Sequence, residues 1–368
     1  MARSRPYVPA EPTLGWEQLR ATPRPRTEHP FSADAVTWTH LGRGALQLAA
    51  RVLRLESREV LVPAYHQGVE IDALLAAGAH PAFYPVGTRW TVDLDDLEKR
   101  IGPRTACVVV THFAGFPGPV RQLRGLADRR GLMLIEDCAQ ALLSVDGDRP
   151  LGTTGDAAVF SLRRSLPVPH GGALVFNGRR GYQLPPLARP PTAATLRALW
   201  KRFRGRWLPA RFGTGRGETR RRTRRDPLGL GVSPLVDRIA RAHEPPRIVE
   251  RRRRNFFHLL GALRNAAPPL VAELSPGVCP LFYPLWVPDR DEVLARLRAE
   301  NVEAGEGWPS FHPRCDGAEF PDAARLRQHV VELPCHQDLG PAQVTHVAQV
   351  ALRALTRDRP RRSRAAEG

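Results

Sequence analysis

The sequence predicts an α/β fold: a mainly parallel sheet covered by helices on both faces, followed by a smaller C-terminal α+β unit. Three observations lead there. From about residue 40, short continuous apolar runs alternate with amphipathic stretches, the pattern of strands buried on both faces between crossover helices. Gly- and Pro-containing turns punctuate the runs. The chain has 368 residues and is 42% apolar, enough for one large lobe and a smaller one.

The elements follow in order. Residues 1 to about 35 are Pro-rich without an apolar period, and read as an extended arm of the kind that wraps a partner subunit. Gly44 to Leu55 places Leu46, Ala49, Ala50 and Leu53 on one helical face, and Val60 to Val62 is a short buried strand. The exchange repeats with helix Val69 to Ala77, strand Pro81 to Val86, helix Leu94 to Ile101, strand Ala106 to Thr111, helix Val120 to Arg130 and strand Leu132 to Ile135. Two more strands follow, Ala157 to Leu162 and Ala173 to Phe176. Residues 181 to about 245 are rich in Arg and Pro and read as an insertion with one helix, Ala194 to Phe203. A helix at Ile248 to Asn265 leads into the smaller unit: strand Leu281 to Val287, helix Asp289 to Glu300, strand Val330 to Leu333 and helix Pro341 to Leu355. The expected division is therefore 1–35 arm, 36–245 large domain with its insertion, 246–356 small domain and 357–368 basic tail. There is no internal repeat.

Composition narrows the function classes. The formal charge is +18, yet of 55 basic residues only Lys99 and Lys201 are lysines, a skew that points to arginine-biased coding. The runs Arg216 to Arg225, Arg251 to Arg254 and Arg357 to Arg364 lack interleaved aromatics, so they read as solvated faces and a basic tail. Nucleic-acid binding through the insertion stays as an alternative. No run of about 18 apolar residues exists, and the N-terminus has no apolar signal core, so a cytoplasmic address with no membrane partner is expected. Five cysteines without a C-x-x-C pair suggest neither a disulfide framework nor a zinc ribbon. His312, Cys315, Cys335 and His336 match no zinc spacing, so no metal is expected.

Four segments at strand ends can carry chemistry, because ligands of open α/β sheets collect there. Gly42-Arg43-Gly44-Ala45 opens a helix and can offer N–H groups and the helix dipole to a phosphate, or be a plain turn. Glu136-Asp137-Cys138-Ala139-Gln140 puts carboxylates after an apolar strand. Asp137 there can pair with a protonated pyridine nitrogen, as in pyridoxal 5'-phosphate (PLP), or cap a helix. Gly155-Asp156 leads to Phe160-Ser161, where Ser161 can donate to phosphate or face solvent. Val62-Pro63-Ala64-Tyr65-His66-Gln67-Gly68 leaves the sheet into a turn that can lay a flat side chain over a ring, or is an ordinary loop.

In this order, and with Gly171-Gly172-Ala173 after them, these segments resemble the DegT/StrS-like sugar aminotransferases. The resemblance covers residues 38 to 178 and, more loosely, 280 to 355. It implies the fold type I large domain of PLP-dependent transferases, a homodimer, and a substrate that is a sugar attached to a nucleotide, in amino-sugar, polysaccharide or secondary-metabolite biosynthesis. It also implies roles. Asp137 would pair with the pyridinium, Gln140 would lie near the ring, and Ser161 with the Gly44 and Ala45 amides would hold the phosphate. Tyr65, His66 or Gln67 would cover the ring.

Family members carry a Schiff-base lysine seven residues before the Gly-Gly pair, and counting back from Gly171 gives Arg164. A guanidinium stays charged and cannot join PLP covalently or shuttle a proton at neutral pH. Three readings remain: a transaminase whose amine is Lys99 or Lys201; a lysine-free enzyme holding PLP or pyridoxamine 5'-phosphate (PMP) noncovalently, with His170 as an alternative base; or a noncatalytic relative whose Arg164 binds a phosphate or nucleotide sugar.

Overall fold

The computed structural model describes residues 6–23, 28–33, 36–178, 182, 184–205 and 229–356. The Arg216–Arg225 run and the basic tail lie outside these residues.

Seven strands form the main sheet: β1 (Val36–Thr39), β2 (Glu59–Pro63), β3 (His80–Tyr84), β4 (Thr105–Thr111), β5 (Met133–Cys138), β8 (Ala157–Ser161) and β9 (Gly172–Phe176). Their order is β1-β9-β8-β5-β4-β2-β3. The five strands from β8 to β3 are parallel, and β9 and β1 complete the edge in antiparallel pairs. A small hairpin, β6 (Val145–Asp146) and β7 (Arg149–Pro150), fills the numbering between β5 and β8.

Side-chain alternation puts the sheet between two apolar layers. Val60, Val62, Cys107, Val109 and Ile135 face helices α2 (Gly42–Val52) and α3 (Val69–Ala76). Leu61, Val108, Val110 and Leu134 face the other way, toward α5 (Val120–Arg130). Between them in sequence lies α4 (Leu94–Lys99), capped by the Asp93 carboxylate on the N–H groups of Asp95 and Asp96.

The smaller unit pairs β10 (Phe282–Trp286) with β11 (Val330–Pro334). Its helices, numbered on from α6 (Leu162–Ser165), α7 (Thr192–Arg204) and α8 (Pro234–Arg241), are α9 (Pro245–Leu263), α10 (Arg290–Ala299), α11 (Pro321–His329) and α12 (Pro341–Thr356). Phe256, Leu259, Leu285, Leu297, Leu333 and Val347 make its core. Arg252 on α9 is 1% exposed. It donates to the carbonyls of Ser165 (3.1 Å), Pro280 (3.1 Å) and Leu281 (3.0 Å) and to Gln337 Oε1 (2.8 Å), so it ties the turn after α6 to the entry of β10 and the exit of β11.

The structure departs from the sequence expectation in several places. Strands β1, β6 and β7, helices α6, α8 and α11 and the short helix Trp16–Arg20 are additional, and Arg252, in a run read as a solvated face, is buried. The Ser233-Pro234 pair was a readable start for α8, since the Ser233 hydroxyl accepts from the Val236 N–H and Pro occupies the first turn. Strand β9 runs antiparallel to β8 because only ten residues, 162–171, connect them, too few for a parallel crossover. The arm packs on its own chain: Val8 exchanges backbone bonds with Asn301 and Glu303, His336 Nε2 meets Pro9 O at 3.0 Å, and Val8 and Leu14 are buried.

Candidate functional site

The nominated segments meet along the carboxyl edge of the parallel strands. Ser161 ends β8, and a Cβ placed on Gly42 would lie 3.2 Å from Phe160 O and 3.6 Å from the Ser161 Cβ, so the start of α2 packs tightly against the end of β8. Asp137 stands on the neighbouring strand, in register with Thr111 and Val159. Its carboxylate accepts the Ala139 N–H at 2.9 Å. Burial raises its pKa above the ordinary value, against that hydrogen bond and the charges of His112 and Arg164. Arg164 projects from α6 and donates to Gln67 Oε1 at 3.2 Å. Asp137, Ser161, Gln67 and Arg164 thus share one end of the sheet.

Other nominated residues are used differently. The Gly44 and Ala45 N–H groups both donate to Leu41 O, at 3.0 and 3.2 Å, so the helix itself takes up these amides. Tyr65 is buried between Phe113 and Trp308, with ring centroids 5.5 and 4.8 Å away. His66 is 1% exposed and stacks on Phe83. Its Nε2 accepts the His312 N–H at 3.1 Å, which leaves the proton on Nδ1, 3.2 Å from Pro63 O. Burial and the Arg327 charge lower its pKa to about 3. Of the three ring-covering candidates, Gln67 is the one joined to Arg164. Gln140 is 5% exposed and its Oε1 takes the Ala114 N–H at 2.7 Å, holding a residue at φ 52°.

His170 lies face to face with His40, centroids 4.2 Å apart, and neither of its ring nitrogens has a hydrogen-bond partner among the described residues. Burial, with His40 beside it, lowers its pKa to about 4, so the ring is neutral at pH 7. Lys99 and Lys201 are both exposed, on α4 and α7.

Two carboxylates of the nominated segments serve the structure instead of the site. Glu136 and Asp137 look like a pair in sequence, but neighbours on a strand point to opposite faces. Glu136 is fully buried and accepts from Thr154 N (2.7 Å), Gly155 N (2.6 Å), Gly152 N (2.9 Å) and His112 Nε2 (3.0 Å). His112 Nδ1 takes the Gly118 N–H, so Nε2 carries the donated proton. Burial would raise the pKa of Glu136, yet these donors hold it below the usual value. His112, Glu136 and Cys138 lie within metal-ligand reach of one another. Both Glu136 oxygens are occupied by N–H donors, and burial raises the Cys138 thiol beside them. Asp156 is likewise structural, accepting from Leu134 N and Arg124, both at 2.8 Å.

Glu70 and Glu332 do border the site, and sequence gave no sign of either. One reads as a first-turn helix acid and the other as an outward strand position. Burial raises each pKa to about 7, reinforced at Glu70 by Asp137 and opposed at Glu332 by Arg164. Glu70 Oε1 accepts the Gln67 N–H at 2.8 Å. Glu332 packs so close to Gly305 that a Cβ there would fall 2.4 Å from its Oε2.

These shifts make stability depend on pH. His66, His170, His243 and His336 have folded values of about 3, 4, 4 and 3, below the unfolded 6.5. The unfolded chain therefore binds more protons below pH 6.5, and each contribution is lost as pH falls toward 4. Glu70 and Glu332, raised from 4.5 to about 7, act in the opposite sense between those values. Four groups outweigh two. The thermal midpoint should fall between about pH 7 and pH 5, and Glu332→Gln should steepen the fall. A midpoint that is level or rises on acidification refutes this balance.

The profile of the DegT/DnrJ/EryC1/StrS aminotransferase family matches residues 32–183. UDP-N-acetyl-3-dehydro-alpha-D-glucosamine 3-aminotransferase of Acidithiobacillus ferrooxidans is 35% identical over 336 residues, covering 85% of this chain and 82% of that protein. GDP-perosamine synthase of Vibrio cholerae is 30% identical over 171 residues, 44% of this chain and 47% of that enzyme. Among solved structures, the PMP form of the Streptococcus pneumoniae sugar aminotransferase Spr1654 superposes with a TM-score of 0.69 at 15% identity, covering 97% of this chain and 100% of that one. The fold is shared throughout, and with the Acidithiobacillus enzyme the sequence is too: the chain belongs to the DegT/DnrJ/EryC1/StrS aminotransferase family.

Proposed function

We propose that this protein holds PLP or PMP without a covalent bond and takes a nucleotide-linked sugar, in amino-sugar, polysaccharide or secondary-metabolite biosynthesis. The observation that carries this reading is Arg164, bonded to Gln67 beside Asp137, while both lysines of the chain stand exposed on other helices. The residues fit the cofactor in part. Ser161 with the glycine-opened start of α2 suits a phosphate, and Asp137 suits a pyridine nitrogen that carries a proton. No residue at α6 supplies the amine. When bound, the group provides an electron sink for chemistry at an amine-bearing carbon. The chain's own part is to fix its phosphate and ring nitrogen, with Arg164 available to an anionic group of the substrate.

The deciding experiment titrates purified protein with PMP and PLP, then treats the PLP complex with borohydride. Saturable binding of either with no pyridoxyl group fixed to the chain supports the reading. Fixation to Lys99 or Lys201 overturns it. A noncatalytic relative is the second reading, favoured by the suitability of Arg164 for phosphate; there a nucleotide sugar binds and neither cofactor form does.

Asp137→Ala should weaken PMP binding about tenfold or more, the loss of a hydrogen-bonded charge pair, and leave the apoprotein's melting midpoint in place. Unchanged affinity removes Asp137 from this role. The family resemblance implies a homodimer, now without the support of the arm; light scattering that shows only the 40.8 kDa chain refutes it.

A further inference from the structure

We infer that the outer face of α7, with Trp16 beside it, is a docking surface for an anionic phospholipid membrane. Thr195, Leu199 and Phe203 recur at helical spacing and bury the inner face of α7. The opposite face turns large apolar groups outward: Leu196 is 53% exposed and Trp200 58%. Trp16, on the short helix α1 (Trp16–Arg20), is also 58% exposed. Both indoles pack on Phe203, Trp16 edge-on at 4.9 Å and Trp200 stacked at 5.8 Å, so they form one patch with Leu196 next to it. Exposed apolar patches of this kind mark interaction surfaces.

The surroundings are cationic. Arg197, Lys201 and Arg204 are exposed on α7, which has no acidic residue, and the Arg20 guanidinium lies 5.7 Å from the Trp16 ring centroid. Glu17 is the nearby acid of α1.

Charge decides between occupants. A symmetric second copy would set Arg20, Arg197, Lys201 and Arg204 against their own images. A nucleic acid would satisfy the cations but leave Leu196 without a use, and Trp200 already has Phe203 on one ring face. An anionic lipid surface uses both features, with indole and leucine side chains at the acyl boundary and guanidinium and ammonium groups at the phosphates. Among the described residues no helix is long and apolar enough to cross a membrane. That observation bears on spanning and leaves surface docking open.

The test uses the full-length protein and sedimentation with phosphatidylcholine vesicles, with and without phosphatidylglycerol. Binding should require phosphatidylglycerol and weaken with salt. It should fall about tenfold or more in Leu196→Ser/Trp200→Ser, whose charge is unchanged, and equally in Arg197→Glu/Lys201→Glu. Both variants alter exposed positions, so their melting midpoints should match the wild type. Equal binding to neutral vesicles, or undiminished binding by the serine variant, overturns the proposal. So does a lowered oligomer mass of that variant in light scattering, which assigns the patch to a second copy. Oligonucleotide binding that Trp200→Ser abolishes, with no vesicle binding, assigns it to nucleic acid.

Discussion

Replacing Arg164 with lysine should convert a protein that holds PLP reversibly into one to which borohydride fixes it. In the wild type the two lysines, Lys99 and Lys201, are exposed on α4 and α7. A lysine at 164 would enter a site holding Asp137, Gln67 and the carboxylates of Glu70 and Glu332. Partial burial there favours the neutral amine, the form that attacks an aldehyde. Mass mapping should find the pyridoxyl group on the peptide containing position 164 in the variant, and on no peptide in the wild type. A variant that binds PLP as the wild type does and is never labelled would show that α6 does not face the cofactor. Activity need not return, since the same change removes the guanidinium proposed to meet an anionic group of the substrate.

Glu136→Gln should produce the largest loss of stability in the site region, about 3–5 kcal/mol against the 5–15 typical of a whole domain. Each carboxylate oxygen accepts two N–H donors, Thr154 and Gly155 on Oε1, Gly152 and His112 on Oε2. An amide keeps one acceptor oxygen and turns its NH2 toward two donors, whichever way it is flipped. Urea denaturation should show the midpoint falling sharply with the slope preserved. A midpoint close to the wild type's would mean that the network is looser than its distances indicate. The contrast with Asp137→Ala, one residue away, separates the two faces of β5 by experiment.

The fold was largely readable because its strands are short apolar runs buried on both faces. Helix Val120–Arg130 has the boundaries its pattern predicts, and the other paired elements differ by a few residues at their ends. What periodicity cannot supply is pairing direction and tertiary burial. Strand β1, at the start of the large domain, goes unread because Val36–Thr39 gains its meaning only from antiparallel pairing with β9. In the site, Asp137, Ser161 and Arg164 were reachable through motif order and counting. Glu70 and Glu332 were not, because their raised pKa values come from chain segments far away in sequence. The loop after β2 shows what motif order leaves out: the rings of Tyr65 and His66 pack on Phe83, Phe113 and Trp308, neighbours distant in sequence.

Ser165 O receives both Arg252 Nη2 at 3.1 Å and Gln337 Nε2 at 2.9 Å, one residue beyond Arg164. In mechanical terms this is a bolted hinge post. The short helix α6 cannot swing outward by itself, because its last carbonyl is fastened to α9 and to the segment leaving β11. Any widening of the cleft that uses α6 must carry those two elements with it or break the bonds of Arg252 and Gln337 to Ser165 O. The loop after β2 is fastened in the same way, since the buried Arg327 donates to Ala64 O, His66 O and Trp308 O, so both rims beside Gln67 and Arg164 are held by a guanidinium from the smaller unit.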